Sequence, residues 1–471
     1  MDLLQFSGGL QTTTSSFLRS PDQLIFSMNV HGDTVGSLTK RLGYGEYGSS
    51  SASTDIDGLY SYNYVGGGTQ YLFRYTNSVL SYTSGSGWST CEGGLTADAL
   101  PEFRVFLDEL FMVGATSANS FLSTANVAGT TYTTTNNVTS APAGKYIEVF
   151  RDRVYIANAE VSSTRYPDRL YFSSVPDSAG TGITWTSTDY ERIYTNNGEE
   201  INGLHTNKTL NEILIFKANS LHTYDTYRVR DVGTQGTTSH RSVQTVNGLT
   251  YFFNANGIYA YDGRLPVLIS RPIEKWIQGI DQTALADVFA ASDDDKYYKL
   301  YVGSITVDGN TYTNCEIRYS TVDNSFTIYS YYDTFKSYAT HKVSGITRVY
   351  AGTDDGIVHQ LAKRDDAVYA DDGNDIPAEF TFETVLGVPA ERKFIDKALI
   401  YCTNFQNLTG RIRVKGRDWS THFEVNDSEH EVGISPEDGR ILQWNFSESS
   451  QVNPFIFEGV SFSPHLTTEK Y

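Results

Sequence analysis

The chain has 471 residues, of which 13% are aromatic and only 19% charged, and its 55 acidic against 36 basic side chains give a formal charge of −19. That balance disfavours a protein that grips phosphate backbones; it serves solubility, or an acidic wall past which nucleic acid slides without sticking. Three cysteines (Cys91, Cys315, Cys402) without a CxxC pair argue against a disulfide scaffold or a thiolate metal site, and no run reaches the eighteen apolar residues of a membrane helix.

Residues 1–55 form a lead-in with neither a basic stretch nor the apolar stretch of a secretory signal. A strand is expected over Leu24–Val30, then the segment Gly36–Tyr44, then a Ser- and Gly-rich loop over Gly45–Ser53. From about Ile56 to Lys363 a short turn unit recurs: Asn77-Ser78, Asn119-Ser120, Asn219-Ser220, Asn256-Gly257, Asn324-Ser325 and Asp355-Gly356. These dipeptides tolerate the positive φ of a tight hairpin, and apolar, Tyr-rich runs flank most of them. A looser hairpin is expected over Tyr166–Phe172, around Asp168.

Hairpins repeating at such intervals predict an all-β chain built on an irregular β-propeller of about six or seven blades. Neither the WD40 nor the kelch signature is present. Two sandwiches built from unrelated hairpins are the competing architecture. In ring-closed propellers the first strand often completes the last blade. Here Leu24–Val30 is the expected closing strand, pairing near Val349–Ala351 and Ile357–His359. Within Arg271–Ile280, Ile273, Trp276, Ile277 and Ile280 share one face at helical spacing, so a short helix is expected between blades near 272–280. The polar, turn-rich stretch Arg364–Asp375 reads as a domain boundary, and strands beyond it suggest a small β-sandwich over 376–471.

Motifs that carry site chemistry are few. Ser178–Trp185 resembles the Asp-box of sialidases, but Gly180 stands where its Asp belongs, and no spacing identifies the arginines and nucleophile of such an enzyme. The acidic groups at Asp293–Asp295, Asp354-Asp355 and Asp365–Asp375 do not match a calcium loop and read as solvated turns. Nine histidines are scattered without metal-ligand spacing, and no nucleotide-binding or hydrolase motif is present. The alternating Arg411–Trp419 stretch reads as a solvated outer face, or as a contact for a strand of nucleic acid. No catalytic, cofactor-binding or metal residue is therefore assigned, no cofactor is expected, and the chain is not expected to be an enzyme.

Several stretches together resemble one family. Asn29-Val30 followed by Gly36-Ser37-Leu38-Thr39-Lys40-Arg41-Leu42-Gly43-Tyr44 is similar to the opening of the tail hub, or packaged-DNA stabilisation, proteins of short-tailed bacteriophages. Leu42 stands where members often have Pro. Leu214–Lys217 with Leu221–Tyr224, Ser270–Trp276 after the Tyr259–Gly263 hairpin, and Pro377–Phe380 match the same pattern. The resemblance implies a virion protein of the tail or neck, made in the bacterial host cytoplasm and assembled as a ring, a homo-hexamer, below the portal and head-to-tail adaptor. Such a ring extends the DNA channel, retains packaged DNA until ejection, and anchors a tail needle, fibres or tailspikes. DNA would pass through its lumen without sequence-specific binding, and no membrane is involved. The competing readings are a distal tail nozzle and a carbohydrate-binding propeller.

Overall fold

Asn77 and Ser78 both take positive φ, 33° and 74°, at the two-residue tip between Gln70–Thr76 and Val79–Thr83. Two successive positive values suit the right-handed twist of the strands they join. In the computed structural model, which describes all residues except 1, 4–5, 33–35, 50, 53, 64–69, 116–121, 126–132, 137–139, 178–181, 195–197, 364–365, 387–392, 435–438 and 467–471, this hairpin is the middle of a four-stranded antiparallel sheet. Seven such sheets follow one another among the described residues and form the blades of a β-propeller. Their innermost strands are Ile56–Asn63, Glu102–Phe106, Tyr146–Phe150, Gly203–Asn207, Gln244–Val246, Phe289–Asp293 and Phe335–Val343, blades 1 to 7 in order. Apolar clusters lie between neighbouring blades, such as Phe150, Tyr155, Leu204 and Ile213 between blades 3 and 4.

The turn units fall mostly at one place. Those at 77, 219, 256 and 355 all link the second and third strands of a blade. Asn324, at φ 57°, links the third and fourth strands of blade 6. That displacement adds to the long interval before it, alongside the expected helix, which forms as a 3-10 turn over Arg271–Ile273 and a helical turn over Glu274–Gln278. Asn119-Ser120 lies outside the described residues. Tyr166–Phe172 is not a hairpin: it belongs to one strand, Thr164–Phe172, and the actual turn is Ser162-Ser163, at φ 51° and 62°. Pro167 is tolerated there because its own strand bulges: residues 167–169 lie opposite the single Asn158, and Pro167 is paired in neither neighbouring ladder.

The ring closes with a different strand from the one expected. Tyr44–Glu46 completes blade 7, pairing with Val358–Leu361 in the register Tyr44↔Leu361 and Glu46↔His359. Leu24–Met28 instead pairs with Ile376–Val385 in the β-sandwich. It does so because Leu24 and Met28 are buried in the sandwich core and Phe26 lies against Trp276 of the inserted helix, at 6.0 Å between ring centroids. The lead-in is thus largely sandwich: Asp2–Leu3, Val30–His31 and Leu38–Lys40 join Ile456–Phe462, Lys397–Thr403 and Glu429–Gly433 in its six-stranded sheet. The facing five-stranded sheet holds Leu24–Met28, Ile376–Val385, Ile441–Ser450, Thr409–Val414 and Phe423–Glu424. Phe380, Phe446 and Phe457 meet between the two sheets at centroid distances of 4.6 to 5.3 Å. Both ends of the chain build the sandwich, and the propeller is inserted between them.

Candidate functional site

A propeller's usual ligand site is its central channel, here a cavity of about 650 Å³ lined by the innermost strands. Its polar side chains are spent mainly on tying blades together. Arg104 Nη2 donates to Glu148 Oε1 at 2.5 Å between blades 2 and 3, and Thr206 Oγ1 to Val149 O at 3.2 Å between blades 4 and 3. His205 Nε2 meets Thr245 Oγ1 at 2.8 Å, Gln244 Nε2 donates to Ala290 O at 3.0 Å, Thr340 Oγ1 to Ser292 O at 2.8 Å, and Ser61 Oγ meets His341 Nδ1 at 2.7 Å. The turn His240–Ser242, at the start of blade 5, crosses the channel. His240 Nε2 lies 3.1 Å from Glu102 Oε2 in blade 2, and Arg241 Nη1 donates to Lys336 O at 3.0 Å. Burial pushes the His205 and His341 imidazoles down to about 4. Burial alone would raise the Glu148 carboxyl, but Arg104 overrides it and holds it at about 2.

Among the described residues, a serine–histidine–aspartate grouping occurs on the outer part of blade 4. Ser220 Oγ is 3.1 Å from His222 Nε2, but His222 Nδ1 is 3.8 Å from Asp231 Oδ1, beyond hydrogen-bond range. Tyr194 stacks on the imidazole at 4.9 Å, and Ser220 Oγ also approaches Glu199 at 3.5 Å. Nucleophile activation needs a base oriented by a third group, and Asp231 does not supply that hold.

A group of buried polar contacts lies at the seam where the chain crosses from sandwich to propeller and back. Asn29, fully buried at φ 58°, donates through Nδ2 to Pro377 O at 2.7 Å in the sandwich. Its Oδ1 accepts from Arg41 Nε and from Ser330 N of blade 6, each at 2.8 Å. Asparagine suits the position because it tolerates left-handed backbone and carries both a donor and an acceptor. Arg41 Nη1 and Nη2 donate to Asp371 Oδ1 and Oδ2 at 2.7 and 2.5 Å, and Nη2 also to Ser330 O at 2.7 Å. Burial opposes the Arg41 charge, but the Asp371 carboxylate outweighs it and holds the guanidinium above its ordinary pKa. Lys40 Nζ, almost fully buried, donates to Glu448 Oε2 at 2.5 Å. Beside these groups a cleft of about 590 Å³ is lined by Lys296, Lys299, Arg318, Lys363, Tyr297 and Tyr329 among others, with Arg318 over the Tyr297 ring at 3.6 Å.

The acidic clusters read as turns are largely engaged. Asp293 pairs with Lys299 and Lys363 at 3.5 and 3.6 Å, Asp294 pairs with Lys363, and Asp366 accepts from Arg348 at 2.8 Å. Of the Asp-box-like stretch, 178–181 lie outside the described residues, as does Asp365. Arg411 and Arg413 flank Trp419 at 4.8 and 4.2 Å, on the outer side of the strand Thr409–Val414 whose Gly410, Ile412 and Val414 point inward. Sequence reasoning singled out the segment holding Lys40 and Arg41 without seeing their partners, Glu448 and Asp371, which follow more than three hundred residues later.

No family model and no curated protein matches the chain. Among solved structures, one described as YCF48 bound to D1 peptide is similar over 69% of this chain and 98% of that one, at 9% identity and a TM-score of 0.41. A second, described as the crystal structure of the mitotic checkpoint complex, is similar over 67% of this chain and 93% of that one, at 11% identity and a TM-score of 0.41. Likeness at this level carries no argument about what the chain does. The propeller is defined by the chain's own seven sheets.

Proposed function

We propose that this chain is a structural virion protein of a phage tail or neck, forming a ring below the portal and adaptor that extends the DNA channel and anchors tail appendages. The observation that carries this reading is where the family-like stretches sit. Asn29, Arg41, Gly43-Tyr44, the helix with Trp276, and Pro377 come from three separate parts of the sequence, yet they meet where the propeller joins the sandwich, while Leu214–Lys217 and Leu221–Tyr224 build blade 4. A pattern that maintains a joint between two rigid units suits a building block, whereas an enzyme's pattern would be expected around a pocket. The channel of each propeller, crossed by His240 and Arg241, serves rigidity. DNA would run through the lumen enclosed by the ring of copies, where net negative charge prevents adhesion.

The test is assembly. Purified protein mixed with portal–adaptor particles should form a ring on the adaptor face, seen by electron microscopy, with a mass corresponding to a closed oligomer. Attachment only at the distal tail tip would favour a nozzle. Specific glycan binding by an isolated monomer that ignores portal–adaptor particles would overturn the reading.

A further inference from the structure

Three side chains from separate segments meet on the same seam. Asp333 comes from the link between blades 6 and 7, His359 from Val358–Leu361 in blade 7, and Asp372 from the turn that returns the chain to the sandwich. One ligating atom from each lies within 4.8 Å of the other two. Asp333 Oδ2 is 3.1 Å from His359 Nε2. Tyr44 O–H donates to the same Oδ2 at 2.9 Å and accepts from Asp333 N at 3.0 Å, which fixes the direction of the carboxylate.

Charge and burial set this group apart from the other acidic turns. His359 is 1% exposed, its Nδ1 has no hydrogen-bond partner, and the ring packs on Tyr44 at 4.6 Å with its Nε2 edge facing the carboxylate. Nε2 is thus the nitrogen available to the group, whereas the unpartnered Nδ1 lies on the other side of the ring. The guanidinium of Arg41 is committed to Asp371. Among the described residues no lysine or arginine pairs with Asp333 or Asp372, so two carboxylates share one imidazole without a permanent cation.

We propose that Asp333, His359 and Asp372 bind a divalent transition-metal ion, Zn²⁺ by donor chemistry, with the fourth position left to water. One imidazole nitrogen and two carboxylate oxygens form a donor set suited to Zn²⁺. Ca²⁺ takes six to eight oxygens and Mg²⁺ keeps most of its waters, so neither fits this set. Zn–N and Zn–O bonds are about 2.0–2.2 Å long, so the ligands must draw together slightly, and Asp372 is exposed and free to swing inward. The ion would cross-link the closing blade, the blade 6–7 link and the returning chain, adding a staple to the seam. The site stands independently of the virion reading.

Full-length protein stripped with chelator and desalted should bind one equivalent of ZnCl₂ by calorimetry, and its melting temperature should rise with Zn²⁺ but not with CaCl₂. Asp372→Asn should weaken Zn²⁺ binding by about tenfold or more while leaving the metal-free melting temperature unchanged, since the Asp372 side chain has no partner to lose among the described residues. His359→Gln should abolish the Zn²⁺-dependent rise. Absence of saturable Zn²⁺ binding, or binding by Asp372→Asn equal to that of the parent, would overturn the site. A preference for Ca²⁺ over Zn²⁺ would overturn the metal assignment.

Discussion

Arg41 and Asp371, 330 residues apart, form a two-pronged ion pair that clasps the outgoing crossing of the chain to the returning one. Both side chains are at most 3% exposed, so neither charge can fall back on water. Arg41→Met leaves Asp371 buried and unpaired and should lower stability by about 3–5 kcal/mol, whereas the double replacement Arg41→Met/Asp371→Leu should recover most of that loss. Arg41→Lys should behave like the single variant, because an ammonium cannot span both oxygens. Urea unfolding followed by tryptophan fluorescence checks this. A double variant no better than Arg41→Met would show that the other bonds of Arg41, to Asn29 and Ser330, carry the effect.

Gly43 marks a close approach of backbones. A Cβ placed there would lie 1.8 Å from Ala370 O, a contact that only backbone movement relieves. Gly43→Ala should therefore loosen the closing strand and cost about 1–3 kcal/mol or more. Gly45, inside the closing strand, has nothing within 4 Å of the corresponding position, so Gly45→Ala should be near neutral. Thermal melts of the two variants side by side decide it; equal melting temperatures would remove the steric account of Gly43.

How much of this was readable beforehand depended on the range of each signal. Asn77-Ser78 and Asp355-Gly356 announce their turns because a hairpin's φ requirement is met by the residues in the turn itself. The helix near Trp276 was visible for the same local reason. The identity of the closing strand was not. Leu24–Met28 and Tyr44–Glu46 are both short strands, and the choice between blade 7 and the sandwich rests on partners at 358–361 and 376–385 that no local pattern reveals. The Asp333, His359 and Asp372 group was hidden similarly, since its members share no spacing and are gathered only by ring closure.

Removing residues 1–40 tests the revised role of the lead-in. The deletion takes away the strands Asp2–Leu3, Leu24–Met28, Val30–His31 and Leu38–Lys40 but spares the closing strand Tyr44–Glu46. The truncated chain should aggregate or melt early through an exposed sandwich core, including Phe382 and Phe457, which Phe6 packs at 5.1 and 5.6 Å. Hydrogen exchange should accelerate in 376–466 before it does in the blades. A truncation as stable as the full chain would refute this, and faster exchange confined to blade 7 would restore Leu24–Val30 as the closing strand.

The channel histidines give the propeller a definite response to acid. His205 and His341 are held near 4 by burial, against an ordinary value near 6.5. The unfolded chain therefore takes up protons at these sites before the folded one, and stability falls as pH drops from about 6.5 towards 4. One pKa unit corresponds to about 1.4 kcal/mol, so each histidine should cost about 2–3 kcal/mol by pH 4. Asp57 works against them. Burial and the neighbouring Asp55 and Asp98 raise it to about 6, so the folded state binds its proton first and gains stability between pH 6 and 4. This carboxyl is only half buried, so its contribution is the smaller, and the net slope follows the two histidines. Glu148, held at about 2, adds its loss only below its ordinary value near 4.5. Urea midpoints measured from pH 7 to 4 should fall along this curve, and His205→Gln/His341→Gln should flatten it above pH 4.5 while leaving the steeper fall below. A double variant with the parent's slope between pH 6.5 and 4.5 would place the acid sensitivity elsewhere in the fold.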